Sequence, residues 1–171
     1  GYVVLYLTDY IDEFVMQVMN NYDGKNFVNA SSGEVDLDTK EEKEELTKKN
    51  EEYKDIFKVM KDTLKDNITD VRFTHRLKNH PVCLVSEGNV SIEMEKVMNA
   101  MPTDDKVKAN TILEINENHE ISKKLEKLYQ SDKQELEKYT KVLYAQARLI
   151  EGLPIENPTE ISNLVCEILS K

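Results

Sequence analysis

Apolar residues arrive in short bursts along this chain, and their period changes several times. Residues 2–7, "YVVLYL", form a continuous apolar run that reads as a buried strand. Thr8 or Asp9 can cap a helix through "YIDEFVMQVMN", where Ile11, Phe14, Val15, Val18 and Met19 recur at helical spacing. An Asp23-Gly24 turn and a short strand around Phe27 follow. The next stretch, "NASSGEVDLDTKEEKEELTKKNEEYK", shifts to small and then charged residues, which predicts a linker opening into a solvated helix. A domain boundary is therefore expected between residues 31 and 40. Leu46, Tyr53, Ile56, Phe57, Met60 and Leu64 put an apolar stripe on that helix, so it packs by its second half.

"ITDVRFTHRL" and "PVCLVS" read as two neighbouring strands joined by a turn before Pro81, and "NTILEIN" as a third strand. Between them lies "SIEMEKVMNAM", a short amphipathic helix, and after them "NHEISKKLEKLY", a helix with Ile121, Leu125 and Leu128 inward. In the last forty or so residues, "DKQELEKYTKVLYAQARLIEG" predicts a long helix stopped by Gly152, with Pro154 preventing its resumption. Asn157 can cap a final helix with Pro158 in its first turn and Glu160 reaching back. The pattern predicts an α+β (mixed α/β) fold. Its parts are a short α/β piece at the N-terminus, a small three-stranded sheet wrapped by helices, and a C-terminal helical hairpin.

Charge narrows the partners. The formal net charge is −10, and such a surface repels phosphate backbones and anionic lipid heads, so neither nucleic acid nor membrane is expected. No apolar run approaches the roughly 18–20 residues that cross a bilayer. Cys83 and Cys166 lie far apart in apolar contexts, which points to a reducing, cytoplasmic setting rather than a disulfide scaffold. The chain starts on its apolar run at Gly1 without an initiator methionine, as a piece of a longer protein would.

Two constellations carry the candidate function. Met94, Val97, Met98 and Met101 fall within an arc of about 100° on one helix, which fits either a core-facing helix or an exposed, adaptable strip, since thioethers accept many partner shapes. The C-terminal hairpin carries Leu143, Ala147, Ile150, Ile161, Leu164, Val165, Ile168 and Leu169. That surface could pack internally, or pair with its own copy as a dimeric four-helix bundle. His75, His80 and Cys83 are the remaining candidates, for a metal site or a small hydrolase, but they lack a fourth ligand at a recognisable spacing. The five glycines form no phosphate-binding cluster, so no Gly-rich phosphate loop is expected within this chain.

Taken together, "LTDYIDEFVMQ", "YDGKNF", "DVRFTHRL" followed by Pro81, "MEKVM", "LEINENH" and the final "NP" with its apolar helix resemble, in order, the bacterial ninety-kilodalton heat-shock chaperones. The resemblance implies the tail of a middle domain over residues 1–36 and a C-terminal dimerisation domain over 37–171. It implies no catalysis here, with ATP and magnesium bound elsewhere in the full-length protein, and a homodimer that contacts non-native client proteins. By matching motifs it places Met94, Val97 and Met98 on one client-facing helix, extended by Met101, and Glu13, Phe14 and Gln17 on another. Phe14 stands where the bacterial pattern often has tryptophan, and Glu117 and Glu120 stand where prolines are common. The absence of an acidic tail after "EILSK" implies a bacterial or organellar source. A dimerisation module without any client site is the alternative of a different class.

Overall fold

In the computed structural model of the chain, residues 3–32, 38–102 and 106–171 are described. The N-terminal piece holds α1 (Tyr10–Val18) and a hairpin of β1 (Asn21–Tyr22) and β2 (Lys25–Asn26). Asp9 caps α1, and the Asp12 carboxylate accepts from the Thr8 and Asp9 amides at 3.0 and 3.1 Å, a capping box built from the first turn. The hairpin turns on Asp23 and Gly24, both at positive φ, as a two-residue loop between twisted strands requires. The strand ends one residue before Phe27.

Residues 3–7 correct the expectation of a buried strand. They belong to no strand, and Val3, Val4, Leu5, Tyr6 and Leu7 are all exposed. An apolar run becomes a strand only when a neighbouring backbone satisfies its amides and carbonyls, and the described residues supply none there. The expected boundary between residues 36 and 37 lies outside the described residues.

The main sheet contains β3 (Asp70–Thr74), β4 (Val82–Glu87) and β5 (Asn110–Asn116) in the order β3-β5-β4. β5 runs parallel to β3 and antiparallel to β4, so β3 and β4 are not neighbours as their sequence adjacency suggested. The register puts Val71, Leu113 and Leu84 in one row and Phe73, Ile115 and Val82 in the next, all on one face. That face carries the core. Against it pack Ile56, Phe57, Met60 and Leu64 from α3 (Lys54–Leu64), Leu125 and Leu128 from α5 (Glu120–Ser131), and Leu136, Leu143, Tyr144 and Ala147 from α6 (Lys133–Ile150). Phe73 meets Tyr53 and Phe57 edge-on at centroid distances of 4.8 and 4.9 Å. The charged helix expected as one piece is two, α2 (Lys40–Glu52) and α3, broken at Tyr53, whose ring joins that cluster.

On the opposite face the same register aligns Arg72, Glu114 and Cys83 across all three strands. Glu114 is 1% exposed. It accepts from Arg72 Nε and Nη2 at 2.9 and 2.7 Å, and its other oxygen meets Arg76 Nε at 2.9 Å. Arg76 also donates to the carbonyls of Ala30 (3.4 Å) and Ser32 (3.1 Å), while Ser86 N–H donates to Ser31 at 3.0 Å. A buried carboxylate thus organises two arginines, and one of them pins residues 30–32 to the sheet. Cys83, beside it, is buried, and desolvation pushes its thiol up to about 12.

Candidate functional site

The expected methionine helix forms as α4 (Ile92–Ala100), with Ser91 as its N-cap accepting from Met94 N–H at 2.9 Å. The same hydroxyl is hydrogen-bonded to Glu13 of α1, so α1 and α4 pack against each other at this corner. Glu95 and Asn99, outside the methionine arc, turn back onto the segment before β5. Glu95 accepts from Ala109 N–H at 2.8 Å, and Asn99 bonds both backbone groups of Val107.

This placement corrects the reading of the stripe as freely exposed. Met94 and Val97 are 7% and 6% exposed, Met98 is half-buried, and only Met101 is open. Two things the sequence pattern hides hold the helix in place. Ile92 is a second apolar anchor, sunk into the main core, and α1 lies alongside. Midway along, at Lys96, α4 meets the turn after α6. A Cβ at Gly152 would stand 3.9 Å from Lys96 Nζ, and burial raises the Glu151 carboxyl while Lys96 opposes that rise.

On α1, Glu13 and Phe14 are half-buried and Gln17 is exposed. No residue of this helix is buried, and Ile11, Val15, Val18 and Met19 stay open to solvent. Their helical spacing is plain in the sequence, but spacing alone cannot tell an inward face from one awaiting a partner.

The C-terminal hairpin forms as expected. α6 ends in a Schellman arrangement, with Gly152 at φ +69°, Gly152 N–H bonded to Leu149 O at 3.0 Å and Leu153 N–H to Arg148 O at 2.8 Å. Asn157 then caps α7 (Pro158–Leu169), accepting from Glu160 N–H at 3.2 Å. α7 runs back along α6, tied by Lys141–Glu160 (2.8 Å), Lys138–Glu167 (2.5 Å) and Glu135–Lys171 (2.5 Å). The expected interface residues divide. Leu143 and Ala147 belong to the core of the protomer; Ile161, Leu164, Val165 and Ile168 are half-covered; Ile150 is exposed and Leu169 is 80% exposed. α7 has no buried residue.

His75 is occupied in another way than metal binding. Its Nε2 is 2.7 Å from Glu117 Oε2 and its Nδ1 3.5 Å from Asp38, while Lys49 pairs with the other Glu117 oxygen. Cys83 lies against Glu114, His119 caps α5 through Nδ1, and among the described residues no group of three His, Cys, Asp or Glu side chains is placed to hold a metal ion. Burial alone would raise the Glu117 carboxyl; the bonds from Lys49 and His75 outweigh it and hold the carboxyl below its ordinary 4.5. A depressed folded-state value stabilises the fold above the unfolded value and is lost as pH falls through the folded one. The stability gap between the parent chain and Glu117→Gln, read from urea midpoints, should therefore be widest near neutrality and close as pH drops below 4.5.

No described helix is long and apolar enough to cross a membrane. The family model described as "Hsp90 protein" matches residues 1–171. Among curated relatives, "Chaperone protein HtpG" of Bacillus subtilis (strain 168) is 46% identical over 169 residues, 99% of this chain. The proteins of that name from Clostridium botulinum (strain Langeland) and Clostridium perfringens (strain 13) are 48% and 47% identical over the same share. The chain spans 27% of the length of each of these relatives. With the ordered motifs and the family match over residues 1–171 in agreement, this chain belongs to the Hsp90 family of chaperones.

Proposed function

We propose that the chain joins two protomers of an ATP-driven chaperone through α7 and presents an apolar surface along α1 and α4 to non-native client proteins. In this reading residues 1–36 end a middle domain, residues 37–171 form the C-terminal domain, and nucleotide with magnesium binds in parts of a longer protein. The full-length protein is then a cytoplasmic, homodimeric ATPase, and this segment has no catalysis of its own. Family membership and the 27% share of the relatives support that division. The observation that carries the reading is the exposure of α7. A helix bearing Ile161, Leu164, Val165, Ile168 and Leu169 buries none of them within the protomer, although Leu136, Leu143, Tyr144 and Ala147 of α6 behind it are packed into the core. Two copies would cover this surface about a two-fold axis. Joining two protomers at one end turns any closure between their far ends into an intramolecular event.

For clients, the half-buried Met98 and Phe14 and the exposed Gln17 lie on the adjacent helices α4 and α1, with the exposed Met101 just past the end of α4, extended by Ile11, Val15 and Val18. Partner coverage of such side chains contributes on the order of 1.5–3 kcal/mol each when complete. Met98→Ser with Met101→Ser in the full-length protein should weaken suppression of aggregation of an unfolded model protein, with folding stability changed by less than about 1 kcal/mol. Undiminished suppression at unchanged stability would reject the client surface.

A further inference from the structure

We propose that the groove between α3 and the outer edge of β3 binds a short, extended, acidic peptide segment. Among the described residues β3 is an edge strand of the sheet, paired by β5 on one side and by no strand on the other. In a parallel ladder each residue turns its N–H and C=O to the same side, and successive residues alternate. Phe73 N–H points away from β5, donating to Asn50 Oδ1 of α2 at 2.7 Å. By that alternation Val71, two residues earlier, also turns its N–H and C=O outward, into a groove of about 420 Å³. One open backbone rung is thus available to a partner strand.

The opposite wall supplies the charge. Lys54, Lys58 and Lys61 line the groove at i, i+4 and i+7 on α3, which puts them in one row along its length. Lys54 is matched by Glu51 at 2.8 Å, whereas Lys58 and Lys61 are exposed and have no ion pair among the described residues. Asp70 is the only other carboxylate in the lining. In a chain of net charge −10, a row of cations beside an open strand edge selects an anionic partner, and the rung selects an extended one. A phosphate or polyphosphate would use the lysines but leave the rung unused. This site is separate from the α1–α4 surface and does not depend on it.

The test is fluorescence anisotropy of a labelled hexapeptide of alternating glutamate and valine, titrated with the full chain. The acidic peptide should bind, and the alternating lysine and valine peptide should not. Lys58→Glu with Lys61→Glu should weaken binding by about tenfold or more. Methylating the peptide's backbone amides should weaken it as well, and Met98→Ser with Met101→Ser should leave it unchanged. Lys58→Gln with Lys61→Gln, showing a smaller loss in the same direction, covers a folding defect in the charge reversal. No binding of the acidic peptide overturns the proposal, as does equal binding by the charge-reversed protein. It is also overturned by full affinity for the methylated peptide, or by lysine-dependent binding of polyphosphate alone.

Discussion

Glu114→Ala is expected to destabilise the fold by about 3 kcal/mol, the low end for removing one partner of a buried charge pair. The carboxylate is sealed between the strands, and two guanidiniums converge on it. Arg72 and Arg76 retain 33% and 18% side-chain exposure, so water can reach part of each once the acid is gone, which keeps the loss from being larger. Glu114→Gln keeps the shape and an acceptor and should cost less. Urea midpoints give the comparison. Arg76 also holds the Ala30 and Ser32 carbonyls, so amide exchange around residues 30–32 should quicken in the alanine variant. A loss under about 1 kcal/mol would show that the outer sheet face does not rest on this carboxylate.

The second large effect separates two methionines that look equivalent in sequence. Met94→Ala should cost about 2–4 kcal/mol, because a side chain 7% exposed leaves a cavity when shortened. Met98→Ala, half-buried one turn later, should stay within about 1 kcal/mol. Thermal or urea unfolding of both single variants decides it. Equal, small losses would mean that α4 stands free of its neighbours and the stripe is open along its whole length.

That contrast marks where sequence reading reaches its limit. Helix ends are legible because their chemistry is local: Asn157, Pro158 and Glu160 start α7, and Gly152 stops α6. Strand identity is legible too, since β5 spans the stretch "NTILEIN" read as a strand. Strand order is not, because β5 inserts between strands adjacent in sequence. The direction of a helix face depends on distant residues. α4 reads as amphipathic in isolation, yet Ile92 enters the core and the hydroxyl of Ser91 reaches Glu13, nearly eighty positions away. The burial of Met94 and Val97 follows from that docking, which no local period encodes. The apolar run at residues 3–7 fails for the same reason, as its pairing depends on a neighbour and not on its own composition. For α7 the sequence shows a dense apolar face, and only the fold shows that α6 takes up part of it and leaves Leu169 open.

If a second copy covers α7, the chain is a dimer in solution. Sedimentation equilibrium of the 19.8 kDa chain at micromolar concentration tests it most directly. The expected result is twice the chain mass, falling to the single-chain mass in Leu164→Glu with Ile168→Glu while helical content is kept. A single-chain mass for the unaltered protein, or a doubled mass that survives both substitutions, would contradict it.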